Sequence, residues 1–102
     1  MSRIEWTATG RESLEAIALF IADQNESVQR ALQVVDRIEA KCDLVAKFPE
    51  SGTLRPDLGE GIRSTLVDSL VIIYRPLKDG IRILLVAEGH QDLPSVLFQL
   101  WS

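Results

Sequence analysis

A chain of 102 residues with a net charge of −4 has room for one core and one domain. It lacks the clustered Lys and Arg that a dedicated nucleic-acid binder needs. Its 46% apolar and 25% charged residues are those of a water-soluble globular fold, and a single cysteine, Cys42, excludes an intrachain disulfide and a cysteine-built zinc cluster. No segment approaches the ~20 apolar residues of a membrane span. The opening MSRIEWTATG carries no apolar run of a secretory signal. The cytoplasm is the expected compartment, with no membrane partner, no cofactor and no metal.

In chain order, Ile4-Glu5-Trp6 alternates as a short strand does. Thr7 and Thr9 offer helix N-caps, and Thr9-x-x-Glu12 has capping-box spacing. Leu14, Ile17, Ala18 and Ile21 then recur as one apolar helical stripe, with Leu19 and Phe20 partly off it. Gly10 falls in the first turn, where a glycine costs least. Residues 23–27 break the pattern, and Asn25 or Ser27 can cap a second, longer helix. In that helix Val28, Val35 and Cys42 form one seven-residue series and Ala31, Ile38 and Val45 another, widened by Leu32 and Ala46. The two seams predict packing against an antiparallel neighbour helix. Cys42 reads as a buried, inert thiol. Pro49 ends the helix by pushing Phe48 out of the α region.

Residues 49–61 form a loop rich in Gly and Pro, pinned by Leu54 and Leu58. Three strands follow, Ile62–Val67, Leu70–Arg75 and Ile81–Glu88, with turns at Asp68-Ser69 and at 76–80. Residues 92–100 read as a short helix or irregular tail. The predicted class is α+β, in the order β-α-α-β-β-β: a helical hairpin packed on one face of a small antiparallel sheet. Such a sheet alternates apolar and polar residues when only one face is covered. Leu70 to Ile73 and Ile83 to Val86 are apolar at both parities, so both faces want cover. A partner segment lying over Val71 or Ile73 is the inference.

A two-residue turn at Asp68-Ser69 places Val67 opposite Leu70, Thr65 opposite Ile72 and Arg63 opposite Tyr74. An Arg beside a Tyr offers a cation for phosphate and a phenol for proton transfer. The same pair also reads as a structural stack. His90, between Glu88 and Asp92, reads as a surface residue before it reads as a general base. Trp6 and Trp101 read as packing residues.

Phe48-Pro49-x-x-Gly52, Gly61-x-Arg63 and Tyr74-Arg75 together resemble the middle of a ParE-type toxin of the RelE/ParE superfamily, whose members are encoded beside an antitoxin. Ile4 to Thr7, the Leu14 to Ile21 stripe and Ile81 to Leu93 extend the resemblance over nearly the whole chain. At the C-terminal loop Glu88 and Gln91 stand where the superfamily usually has His and Arg. The resemblance implies the fold derived above and a toxin that acts by binding, with DNA gyrase as target and a cognate antitoxin as partner. A RelE-like ribosome-dependent ribonuclease and a degenerate, non-toxic member are the alternatives. Candidate antitoxin- or target-binding residues are Arg63, Tyr74, Arg75, Arg82, Val71 and Ile73, with no catalytic residue assigned. A homodimer or a toxin–antitoxin hetero-oligomer is expected, and direct DNA binding is not expected without the antitoxin.

Overall fold

The fold, given by a computed structural model, is described over residues 2–89 and 92–96. The chain runs β1 (Arg3–Trp6), α1 (Ala8–Asn25), α2 (Val28–Lys47), a 3₁₀ turn (Pro49–Ser51), β2 (Thr53–Leu54), β3 (Arg63–Val67), β4 (Leu70–Leu77) and β5 (Gly80–Glu88). The strands form one sheet in the order β1-β5-β4-β3-β2. The α+β class and the helical hairpin are as the sequence predicts. The sheet is antiparallel except at one edge, where β1 pairs parallel to β5 and sets Glu5 opposite Arg82. A strand that is followed by two helices can rejoin the sheet in either sense, and the sequence pattern does not distinguish them.

Thr7, not Thr9, caps α1. Its Oγ1 accepts from the Gly10 N–H at 3.0 Å and donates to the Ile83 carbonyl at 2.9 Å. One hydroxyl therefore closes the helix start and fastens it to β5. Gly10 is required by this close approach: a Cβ there would lie 2.7 Å from the Ile83 carbonyl oxygen. One turn later Ser13 Oγ accepts from the Val86 N–H at 2.9 Å. These contacts satisfy backbone groups of β5 past the end of β1. Ser27 caps α2 by accepting from the Arg30 N–H at 3.1 Å.

The buried face of α2 is Ala31, Val34, Ile38, Cys42, Val45 and Ala46. The seam expected through Val28 and widened by Leu32 is not formed: these residues are 68% and 58% exposed. The cause is the partner. The helix lies on the sheet as well as beside α1, and a helix on a sheet buries one broad stripe. Val34, which neither heptad series contained, sits in that stripe.

The loop 49–61 holds more structure than its composition suggests. Thr53–Leu54 pairs with β3, Thr53 opposite Ser64 and Leu54 opposite Arg63. Leu58 is buried as expected, whereas Leu54 is exposed and pins nothing. β4 continues to Leu77 through Pro76. There it lies past the first residue of β3 and has only β5 beside it, so the missing N–H of proline breaks no ladder.

Both faces of the central strands are cores. One, against the helices, contains Ile38, Cys42, Leu70, Ile72, Tyr74, Ile81, Ile83 and Val86. The other contains Val71, Ile73, Leu84, Leu85 and Ala87, covered by Leu58 and Ile62 from the loop and by Leu93 and Val96. A β-bulge supplies the parity change. Ile73 opposes Leu85 while Tyr74 opposes Ile83, leaving Leu84 as the extra residue. Ile81, Ile83 and Val86 can then all face the helices, and an unbroken apolar run in β5 follows. The inferred open strip over Val71 and Ile73 is therefore absent. The chain covers these residues with its own loop and with residues 93–96, which form a helical turn.

Candidate functional site

The register sets Arg63 opposite Tyr74, Thr65 opposite Ile72 and Val67 opposite Leu70, as the two-residue turn at Asp68-Ser69 predicts. Asp68 supplies the left-handed conformation that glycine usually provides, at φ 56°. Its carboxylate accepts from Arg37 Nη2 at 2.8 Å, which ties the turn to α2.

Arg63 and Tyr74 meet, and both are engaged by backbone. The Tyr74 hydroxyl donates to the Pro49 carbonyl at 2.8 Å and accepts from the Gly52 N–H at 2.9 Å. Arg63 Nη1 donates to the carbonyls of Glu50 at 3.0 Å and Gly52 at 2.8 Å. The tight turn after α2 is thus held by four hydrogen bonds from two side chains. Gly52 completes the fit, because a Cβ there would collide with the Tyr74 hydroxyl and lie 2.8 Å from the Ser64 carbonyl oxygen. The Tyr74 side chain is fully buried, and burial pushes its pKa up, against the lowering effects of the Gly52 hydrogen bond and the Arg63 charge. A phenol in this state neither reaches a substrate nor gives up its proton readily. Arg63 and Tyr74 together form a structural clamp on residues 49–52, with Tyr74 buried and Arg63 half-exposed.

Arg75 and Arg82 stand on the opposite face of the sheet, because their neighbours Tyr74, Ile81 and Ile83 face the helices. They are direct cross-strand partners. Arg75 Nη1 donates to the Glu60 carbonyl at 2.8 Å, and Arg82 has an ion pair with Glu5 at 3.6 Å. Val71 and Ile73 are interior residues of the second core.

Cys42 is buried, and desolvation pushes its pKa to about 12, with Asp43 and Glu39 adding to the rise. It is inert as a nucleophile at neutral pH. Trp6 packs against the helix-side core with Arg11 5.9 Å above its ring. His90 and Trp101 lie outside the described residues. Among the described residues no group of three His, Cys, Asp or Glu is placed to hold a metal ion, and no helix is long and apolar enough to cross a membrane.

Two surface hollows escaped the sequence reading. A cavity of about 350 Å³ opens between the helices and the β3–β4 turn, lined in part by Ile17, Phe20, Val34, Arg37 and Leu70. A cleft of about 600 Å³ lies between Phe48-Pro49 and Pro76-Leu77, flanked by Lys47 and Lys78. The signals available were Phe20 off its helical stripe and Phe48 before a proline, both now seen exposed.

This arrangement of helical hairpin and sheet matches a solved structure, the chromosomal ParDE TA system from P. aeruginosa. The TM-score is 0.72 at 21% identity, over 86% of this chain and 96% of that one. At that identity the likeness is one of fold. A search of curated proteins returns no match. The sequence itself decides the family: residues 4–93 match the family described as ParE toxin of type II toxin-antitoxin system, parDE, and the chain belongs to it.

Proposed function

We propose that the chain is a cytoplasmic toxin that acts by binding, with DNA gyrase as its target, and that a cognate antitoxin encoded beside it neutralises it. One observation carries the choice of a binder over a ribonuclease. The chain's one tyrosine and the arginine opposite it are spent on the backbone of residues 49–52. RNA cleavage needs a cation and a proton-transfer group at the scissile phosphate, whereas here the phenol is buried and the half-exposed guanidinium spends its Nη1 on two carbonyls. The acidic balance of the chain, −4, supports the same reading.

The test is induction of the chain alone in growing cells. DNA synthesis stops and the SOS response rises, while translation continues until later. Early arrest of translation with mRNA cut at codons contradicts the proposal and favours a ribonuclease. Co-induction of the neighbouring open reading frame restores growth.

A further inference from the structure

Leu14, Ile17 and Ile21 turn one side of α1 to the core, yet Leu19, on the opposite side, is 72% exposed. On α2 the unformed seam leaves Val28 and Leu32 in solvent. The helices join at Glu26-Ser27. At 1.5 Å per residue Leu19 and Leu32 stand about 11 Å and 8 Å from that tip, and packed helix axes lie about 8–10 Å apart, so these residues cluster. Carboxylates continue both lines. On α1 the spacing Glu12, Glu15, Leu19, Asp23 follows one stripe, and on α2 so does Val28, Leu32, Asp36, Glu39, Asp43. Glu39 and Asp43 line a hollow with Arg11 and Trp6, which places that flank of α2 on the side of α1. All six carboxylates are exposed, and none forms an ion pair among the described residues. The one base among them, Arg11, lies over the Trp6 ring. Six negative charges exceed the net −4 of the chain, so the rest of the molecule is net positive and the acidity is concentrated on this face.

We propose that the outer face of the helical hairpin, apolar at Leu19, Val28 and Leu32 and acidic around them, is the surface by which the chain grips its target, and that the target surface is basic with apolar contacts. Apolar residues inside a charged rim are the anatomy of a protein interface. A second copy of the chain is the wrong occupant, because a twofold axis brings the same patch against itself and sets carboxylate against carboxylate. An enzyme that holds DNA presents Lys and Arg to the phosphates, and a surface of that charge complements this one. The inference rests on the reading that the chain acts by binding such an enzyme. The carboxylates steer the encounter and set its register, while the three apolar residues supply the buried contact.

The test measures binding of the purified chain to DNA gyrase and, separately, to a 14-residue amphipathic Lys/Leu peptide and its Glu/Leu counterpart, the peptides followed by backbone-amide NMR. The Lys/Leu peptide binds at least tenfold tighter than the Glu/Leu peptide and shifts amides of α1 and α2. The double variants Leu19→Gln with Leu32→Gln, and Glu15→Lys with Asp36→Lys, each weaken binding of gyrase and of the Lys/Leu peptide at least tenfold. Glu60→Lys, at an exposed carboxylate of the loop before β3, weakens either by less than twofold. The leucine variant melts within about two degrees of the parent, since both side chains are already exposed and glutamine matches leucine in helix propensity; a larger fall marks them as folding residues and overturns the proposal. Gyrase binding that both double variants leave within twofold overturns the surface while the target reading stands. Absence of gyrase binding by the parent overturns the target reading, and the peptides still decide the surface: equal binding of the two, or shifts confined to the sheet and its loops, overturn it.

Discussion

Tyr74 concentrates the residue-scale logic of the protein. Its hydroxyl is both donor and acceptor to a turn that otherwise has no ladder to join. Tyr74→Phe leaves the Pro49 carbonyl and the Gly52 N–H short of a partner, and it should destabilise the fold by about 1–3 kcal/mol. Urea denaturation checks the size, and partner affinity should stay unchanged when measured well below the variant's melting temperature. The pairing of Arg63 with Tyr74 was legible in the sequence because the hairpin turn is two residues long. The destination of their polar groups was not, because a backbone carbonyl leaves no mark on the residue that carries it. Cys42 adds a pH dependence. Its folded pKa of about 12 stands above the ordinary thiol value of 9.0, so the folded state holds a proton that the unfolded state releases. The stability linked to it is full below pH 9 and falls as pH rises toward 12, and the raised Tyr74 pKa acts in the same direction. Melting temperatures recorded from pH 8 to pH 11 should decline. Ellman's reagent should leave the native thiol unlabelled at pH 8 and label it on unfolding.

At the scale of elements, the fold class and its two helices were readable from apolar periodicity, and the strand pairing from turn length. The packing partner of α2 was not. Seven-residue spacing fits a helix–helix seam and a helix–sheet stripe almost equally, and only three-dimensional context selects Val34 over Val28. Ile38 serves both readings and has no exposed surface. Ile38→Asp buries an unpaired charge and should cost more than ~3 kcal/mol; a melting temperature within a degree or two of the parent would contradict this placement. The unbroken apolar runs in β4 and β5 correctly announced two covered faces. They did not say that the chain supplies the second cover itself. That depended on a bulge at Leu84 and on Leu58, Ile62, Leu93 and Val96 reaching the same face. Leu93 is buried there, so Leu93→Asp should lower stability by about 2–3 kcal/mol and increase binding of an apolar dye. An unchanged variant would show that residues 92–96 do not seal this face.

Across the whole molecule, Gly52, Arg63, Tyr74 and Arg75 of the signature Phe48-Pro49-x-x-Gly52, Gly61-x-Arg63, Tyr74-Arg75 serve folding. Its side chains bind the loop after α2 to the sheet, which accounts for a shared fold without naming a shared target. The hollows that the scaffold leaves exposed include the cavity beside Phe20 and the cleft at Phe48. If apolar burial dominates a partner's grip, a complex with the neighbouring gene product should persist at ~1 M salt, where exposed charge pairs are screened; size-exclusion chromatography at that salt checks it, and dissociation there would place the binding energy in the charges. The most direct test of the central claim is a plasmid supercoiling assay with purified DNA gyrase, the purified chain and the neighbouring gene product. The account predicts that the chain blocks supercoiling, that the neighbouring product restores it near equimolar ratio, and that Tyr74→Phe, assayed while folded, blocks as well as the parent. Unimpaired supercoiling at a large excess of folded chain would contradict it.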